Sequence, residues 1–449
     1  MEDTIVAIST SLGKGAISII RVSGKDALNL VNNIFKGKDL TQVNSHTIHY
    51  GYIIDGNEEI DEVLVMVMLS PKTFTTEDIV EINCHGGIAT TNRILELLIS
   101  SGARLAEPGE FTKRAFLNGR ISLLEAESVS DLIESKSETQ RKMALNGVNG
   151  RLTELVRNIR DKILDVIANI EVNIDYPEYD DAIEVTHEFL KEKVNSMKQD
   201  LELLLSNSKV GRIIKSGIDV ALVGRPNVGK SSILNALLNE DKAIVTDISG
   251  TTRDIIEAKM NLNGIEINLI DTAGIRETED VVEKIGVDKS KQIIDKADLV
   301  ILVLNNNEEL TNDDLELLEQ IKNKTNLIFL NKTDLEQKIK LPNNLNIVKG
   351  NTKDLNGLEE LKQKIIEMYE LDKIEDKDLT YLSNVRQITL VTESLNSIKQ
   401  VLKDIESDIP VDMLEIHLRN VFDKLGILIG ETYEDELIDK LFKNFCLGK

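Results

Sequence analysis

From Gly224 to Ser231 the chain reads GRPNVGKS, a GxxxxGK[ST] spacing set between a strand-like DVALV and a helical SSILNALL. A glycine-rich turn opening onto a helix N-terminus points backbone N–H groups at an anion, and the helix dipole adds to the attraction. Asn227, Val228 and Gly229 would then line phosphates, Lys230 would reach the terminal ones, and the hydroxyl of Ser231, followed by Ser232, is placed for magnesium. A bare glycine turn capping a helix requires neither the lysine nor the serine.

Two later motifs narrow the nucleotide. Asp271, Thr272, Ala273 and Gly274 end the apolar run INLI, at the carboxyl edge of a sheet where open α/β folds bind ligands. Asp271 can hold a magnesium-bound water there, and the Gly274 N–H can meet a γ-phosphate. NLIFLNKTD then supplies Asn331, Lys332 and Asp334. The Asp334 carboxylate can accept from the two adjacent N–H donors on the edge of guanine, a pair that adenine lacks. Third in order behind the other two motifs, NKTD points to GTP. Where many GTPases carry a Ser-Ala-Lys loop against the base, this chain has Asn351, Thr352 and Lys353.

Hydrolysis is constrained by what the segment lacks. Residues 216–372 contain neither His nor Cys, so neither serves as base or nucleophile. Ile275 follows DTAG, where Ras-like enzymes carry the water-orienting Gln. Glu277, Glu279, Asp280 and Glu283 lie nearby in IRETEDVVEKIG, and residue type alone does not choose among them.

The elements that hold these motifs are read from periodicity. Residues 1–118 carry mixed strands, among them IVAIST, GAISIIRVSG and VLVMVML, between turn-rich segments. Leu152, Val156, Ile159, Ile163, Val166, Ile170 and Ile174 form one helical seam that Pro177 stops; Leu190, Val194, Met197, Leu201 and Leu204 form a second, predicting an antiparallel helical pair. From Asp219 the runs VALVG, INLID, LVILVLN and NLIFLN alternate with helical segments, the pattern of a parallel, doubly wound sheet. Helical texture returns with Ile388, Val391, Leu395, Ile398, Leu402 and Ile405, and Leu437, Leu441 and Phe445 are predicted to share a face. An α/β domain inserted into one helical bundle accounts for this order, since insertions succeed where chain ends lie close together.

At 449 residues the chain is long enough for about three domains at roughly 150 residues each. A formal net charge of −24 argues against coating nucleic acid through an overall basic field, so RNA contact must be local or shared with a partner. Cys84 and Cys446 lack CxxC partners, which excludes a disulfide framework or zinc ribbon and suits a reducing, cytoplasmic compartment. The opening MEDTIVAIST lacks a signal-peptide pattern, and no apolar run is long enough to span a bilayer. His85, in NCHGG, reads as a residue packed in a turn. Cys446 reads either as a modification-site thiol or as an apolar residue packed beside Phe445.

GRPNVGKSS, TDISGTTRD, DTAGIRETEDVVEKIG, NKTD and the terminal FCLGK, with DTIVAISTSLGKGAISIIRVSG, TFTTEDIVEINCHGG and EPGEFTKRAFLNGRISLLEAE in the first third, resemble the MnmE (TrmE) family of tRNA modification GTPases along the whole chain. The resemblance implies an α/β and α+β multidomain protein: a folate-binding-like α+β and dimerisation domain over 1–118, a helical domain in two parts over 119–212 and 376–449, and a Ras-like G domain over 213–375 inserted in it. It implies activation by potassium and by pairing of two G domains, with Asn227, Thr246, Ile248 and Thr251 on potassium and Ser231 and Thr252 on magnesium. Asp247, Ser249 and Gly250 belong to the same nucleotide-binding loop. Glu283 falls on the family's catalytic carboxylate, with Arg276 as a helper.

The resemblance further implies 5-formyltetrahydrofolate or a related one-carbon folate on Arg21, Glu81, Arg120 and Lys449. It also implies a homodimer working with a flavin-dependent MnmG (GidA) family partner, which would hold FAD and NADH, on the tRNA wobble uridine. No Rossmann GxGxxG occurs in this chain to hold them itself. A rival reading keeps the G domain and drops the chemistry: a regulatory switch in ribosome assembly or signalling, with Arg21, Glu81, Arg120 and Lys449 as dispersed surface charges.

Overall fold

The computed structural model describes residues 3–175, 186–240, 258–271, 292–342, 345–374, 379–433, 435–443, 445–446 and 448. They belong to two compact units. The first is Met1–Ile133, Leu145–Leu201 and Thr389–Lys449; the second is Glu134–Ala144 and Glu202–Ile388.

The first unit holds a seven-stranded sheet of β1 (Ile5–Ile8), β2 (Ile17–Ser23), β3 (Phe35–Lys36), β4 (Thr47–Asp55), β5 (Glu58–Met68), β6 (Ile79–His85) and β7 (Arg104–Leu105), in the order β3-β4-β5-β6-β2-β1-β7. Neighbours are antiparallel except β1 and β7. Strand alternation sends Val6, Ile20, Val22, Val63, Val65, Val67, Val80 and Ile82 to one face, where the helices Ala27–Ile34 and Ile88–Ser100 bury Val31, Ile94 and Leu98 against them.

A buried ion cluster ties the N-terminus to the Glu110–Leu117 helix. Arg114, 1% exposed, donates to both Glu77 carboxylate oxygens at 3.1 Å, to Asp3 Oδ1 at 2.9 Å and to Glu110 Oε1 at 3.1 Å. Burial alone would raise the Glu110 pKa, but hydrogen bonds from Arg104, the Glu107 N–H and Arg114 outweigh it and hold it below the usual carboxylate value. Asp3 is lowered in the same way: Arg104 and Arg114 overcome its desolvation. A carboxylate depressed on folding contributes stability above its unfolded pKa, about 4, and loses it as pH falls through the folded value. Thermal unfolding followed by circular dichroism should therefore show a midpoint that drops below about pH 4 and drops less in Glu110→Gln; parallel curves would remove the cluster from the acid response.

The helix Arg151–Asp175 buries Leu152, Val156, Ile159, Ile163, Val166 and Ile170, and packs along Val411–Ile429. Ile174 is exposed, so the seam ends one turn before the sequence pattern does. A Lys162–Asp200 ion pair at 2.7 Å links this helix to His187–Ser206, which buries Leu190, Val194, Met197 and Leu201. In Val385–Glu406, Val401 is fully buried and Leu402 only half-buried. In Asp435–Phe442, the expected face of Leu437, Leu441 and Phe445 is corrected: Ile438 and Phe442 enter the core, Leu441 and Phe445 flank it, and Phe445 lies beyond the helix end. Packing against Phe116 and Leu123 selects that face. Among the described residues, no helix is long and apolar enough to cross a membrane.

The second unit centres on a six-stranded sheet of β8 (Ile218–Val223), β9 (Ala258–Leu262), β10 (Ile265–Asp271), β11 (Leu299–Asn305), β12 (Asn326–Asn331) and β13 (Ile347–Lys349), ordered β13-β12-β11-β8-β10-β9. All pairs are parallel except β9 with β10. Every residue of β11 is buried, because both sheet faces are covered. Val220, Leu222, Ile301, Val303 and Phe329 pack with the helices Lys230–Glu240 and Leu358–Tyr369 on one side; Val223, Val300, Leu302 and Leu330 pack with Ile321 of the helix Asn312–Ile321 on the other.

Candidate functional site

Parallel pairing aligns the carboxyl ends of the strands in the second unit. Val223 pairs across β8 and β11 with Leu302, Asn305 with Asn331, and Leu222 with Asp271. The turns that leave β8 and β12 therefore emerge on one edge, where the sequence placed the nucleotide.

Gly224 and Gly229 have positive φ, +148° and +105°. A Cβ at Gly224 would lie 2.5 Å from the Val303 carbonyl oxygen, and one at Gly229 would lie 2.2 Å from Asn331 Nδ2. Both contacts require glycine. Asn227 occupies φ +62° and is exposed, while Val228 is buried. Lys230 opens the helix Lys230–Glu240; its side chain is buried, and Nζ donates to the carbonyls of Gly224 at 2.7 Å and Arg225 at 2.9 Å. Ser231 and Ser232 are exposed on the first turn.

Asn331 joins the 224–231 loop to the NKTD loop and the 351–353 loop. Buried at 1% exposure, it donates from Nδ2 to the Val228 carbonyl at 2.8 Å. Its Oδ1 accepts from the backbone N–H groups of Lys332 at 2.8 Å and Thr352 at 3.3 Å. Lys332 Nζ reaches the Asn227 carbonyl at 3.4 Å, and Thr333 Oγ1 donates to the Gly350 carbonyl at 2.9 Å. Asn351 and Lys353 close a small turn of their own, with Asn351 Nδ2 donating to Asp354 at 2.9 Å and its Oδ1 accepting the Lys353 N–H at 3.0 Å. Asp334 is exposed. Lys230, Asn227, Asn331, Lys332 and the 351–353 loop thus form one constellation.

Asp271 ends β10, but its side chain lies outside the described residues. So do Thr246, Asp247, Ile248, Ser249, Gly250, Thr251, Thr252, Thr272, Ala273, Gly274, Arg276, Glu277, Glu279, Asp280, Glu283 and Lys449. Among the described residues, no group of three His, Cys, Asp or Glu could hold a metal. The exposed Ser231 hydroxyl and the exposed Asn227 carboxamide are nonetheless hard oxygen donors of the kind that magnesium and potassium take.

In the first unit, Arg21 and Glu81 are directly opposite on β2 and β6, with Nε to Oε1 at 2.7 Å. The guanidinium lies 5.6 Å from the Phe111 ring centroid. The chain terminus comes to the same place: the Gly448 carbonyl accepts from Ser9 Oγ at 3.0 Å and lies 3.5 Å from Arg21 Nη1, and the Cys446 carbonyl accepts the Gly109 N–H at 3.1 Å. Arg120 lies 4.9 Å from the Phe74 ring and donates to the Phe74 carbonyl, in an open cleft of about 620 Å³ that includes Lys72 and Asn118, and Phe74 packs against the cluster that contains Phe111. Residue type gave no sign of the two aromatic rings beneath these arginines.

Cys446 is exposed, whereas Cys84 is buried beneath Ser18, and burial pushes its thiol pKa up. The reading of His85 as a packed residue is corrected. It ends β6 with its side chain 70% exposed and paired with Asp61 at 2.7 Å, and that hydrogen bond raises its pKa. A strand end pointing to solvent, with a carboxylate opposite, needs no core packing to fix the ring.

A family model described as the MnmE helical domain matches residues 123–446, and one described as the GTP-binding protein TrmE N-terminus matches residues 4–120. The tRNA modification GTPase MnmE of Bacillus cytotoxicus is 51% identical over 455 residues, which span 100% of this chain and 99% of that protein. The protein of the same name from Ligilactobacillus salivarius is 53% identical over 456 residues, spanning 100% and 98%. The solved G domain of the T. maritima FeoB iron transporter overlaps 34% of this chain and 98% of its own, at 32% identity and a TM-score of 0.25.

Proposed function

The chain belongs to the MnmE family of tRNA modification GTPases, and from that premise we propose that it works with a flavin-dependent MnmG (GidA) family partner to add a carboxymethylaminomethyl or aminomethyl group at carbon 5 of the tRNA wobble uridine. GTP hydrolysis is its own activity. The observation that carries the reading is the meeting of the phosphate loop and the NKTD loop through Asn331, in a chain that aligns end to end with relatives of that name.

In this reading residues 213–375 are a G domain inserted in a helical domain of 119–212 and 376–449, behind a folate-binding-like and dimerisation domain of 1–118. The protein is a cytoplasmic homodimer. Backbone N–H groups of 227–229 and Lys230 hold the phosphates, Asp334 reads the base, and Glu283 orients the attacking water, with Arg276 beside it. Ser231 and Thr252 would hold magnesium, and Asn227, Thr246, Ile248 and Thr251 potassium. Together the two cations would supply positive charge beside the β- and γ-phosphates.

Arg21 and Glu81 suit a one-carbon folate. The pair is about four-fifths buried and its guanidinium lies over Phe111, so a guanidinium with its carboxylate partner and a flat apolar ring come together. Lys449 and Arg120 would bind the folate carboxylates, and Cys446, exposed beside this terminus, is a candidate thiol for the modification. FAD and NADH belong to the partner.

One experiment with two arms tests the whole. In cells lacking the protein, mass spectrometry of tRNA should find the wobble uridine without its carbon-5 group, restored by the wild-type gene and not by Lys230→Ala. GTP turnover by the purified chain should be at least about tenfold faster in potassium than in sodium at equal ionic strength, since a cation in the place of an arginine finger serves the same transition-state charge. Normal tRNA would overturn the modification reading, and equal rates the potassium one.

A further inference from the structure

We propose that Arg225, the second residue of the phosphate loop, is a positioning residue that braces this loop against the turn after β11. The proposal deepens the nucleotide site proposed above and rests on it.

The side chain is held by two carboxylates of the 308–314 segment. Its Nε bonds Asp314 Oδ1 at 2.9 Å and its Nη2 bonds Glu308 Oε2 at 3.0 Å. Asp314 is 1% exposed and shared between two tasks: its other oxygen, Oδ2, accepts from the Thr311 N–H at 3.0 Å and the Thr311 hydroxyl at 2.9 Å, in the capping box that starts the helix Asn312–Ile321. Glu308 Oε1 accepts from Asn305 Nδ2 at 2.6 Å, at the end of β11. The next residue, Asn306, donates from Nδ2 to the Leu335 carbonyl at 3.1 Å, beside the base-reading loop. A chain of contacts therefore runs from the phosphate loop, through 305–314, to the NKTD loop.

Arg225 acts on Lys230 through its backbone. Its carbonyl is one of the two that hold the lysine ammonium, so fixing the Arg225 side chain fixes an atom that aims Lys230. Electrostatics work in the same direction. Without the guanidinium, Asp314 and Glu308 would leave two uncompensated carboxylates next to a site for a polyanion, one of them buried. A lysine could satisfy one carboxylate but lacks the planar fork that engages both.

The test is nucleotide binding and turnover in the full-length protein, using a fluorescent GTP analogue for Kd and phosphate release for kcat. Arg225→Ala should raise Kd about tenfold or more, with a smaller fall in kcat at saturation, and Arg225→Lys should recover part of the affinity. Arg225→Ala combined with Asp314→Asn should be weakened less than the two single changes together predict, because the second removes the carboxylate that the first exposes. If Arg225→Ala does not fold by circular dichroism, Arg225→Lys and Glu308→Gln carry the same comparison, each expected to raise Kd more than it lowers kcat.

An unchanged Kd, an additive double variant, or a loss confined to kcat would overturn the proposal. A wild-type chain without affinity for the analogue would overturn the nucleotide site itself, and Arg225's role with it.

Discussion

Asn331→Ala should raise the Kd for both GTP and GDP by about 100-fold or more, at roughly 1–3 kcal/mol for each buried polar group left without its partner. The substitution deletes one donor and one acceptor at a position 1% exposed. It strands the Val228 carbonyl of the phosphate loop and the backbone N–H groups of Lys332 and Thr352. In the empty protein these loops lie at the sheet edge, where water can reach them once they separate, so global stability falls less than affinity. Binding then has to bring them back together, and the cost appears in Kd.

Both nucleotides should suffer alike, since the Asn331 contacts involve no γ-phosphate residue. Asn331→Asp separates the two halves of the side chain: it keeps the acceptor for Lys332 and Thr352 but sets a carboxylate against the Val228 carbonyl. Its Kd should also rise steeply. Titration of a fluorescent GDP analogue decides the matter, and an alanine variant within fivefold of wild type would mean that the loops are held by other contacts.

What the sequence disclosed follows from the range of the forces involved. The phosphate loop was legible because its glycines, Lys230 and Ser231 act within eight residues, and the seam of Arg151–Asp175 because helix periodicity is local. The buried runs of β8, β10, β11 and β12 were legible as apolar segments. The short β13 and the edge strand β9 carry too little apolar sequence to stand out.

Arg225 falls at an unspecified position of the motif, and its partners lie 83 and 89 residues away, beyond the reach of local spacing. The same holds for the face chosen by Ile438 and Phe442, which depends on Phe116 and Leu123 from a distant segment. Arg21 and Glu81 entered through a family resemblance, and only the β2–β6 register puts them opposite each other. Arg120 came from the same resemblance and lies over Phe74, which packs against the Phe111 cluster, an arrangement invisible in residue type.

Asp334→Asn should convert a guanine-selective protein into one that prefers xanthine. The loop carrying Asp334 is held from both sides: Thr333 Oγ1 donates to the Gly350 carbonyl, and the Leu335 N–H donates to the Lys332 carbonyl at 3.1 Å. Its carboxylate is left exposed, as an acceptor at a fixed place. Guanine presents two adjacent N–H donors to such an acceptor. Xanthine replaces the exocyclic amine with a carbonyl, so the carboxylate would face an oxygen.

An asparagine amide carries both an acceptor and a donor, which reverses the match: one contact is lost to guanine and one is gained with xanthine. A hydrogen bond to a charged group contributes about 1.5–3 kcal/mol, so GTP affinity should fall roughly 10- to 100-fold. Xanthosine triphosphate should gain by a similar factor, with the phosphate contacts untouched. Competition of the two triphosphates against one fluorescent guanine nucleotide measures both changes at once. If the variant kept the wild-type order of preference, Asp334 would not be the group that reads the base, and the neighbouring loop of Asn351, Thr352 and Lys353 would become the next place to look.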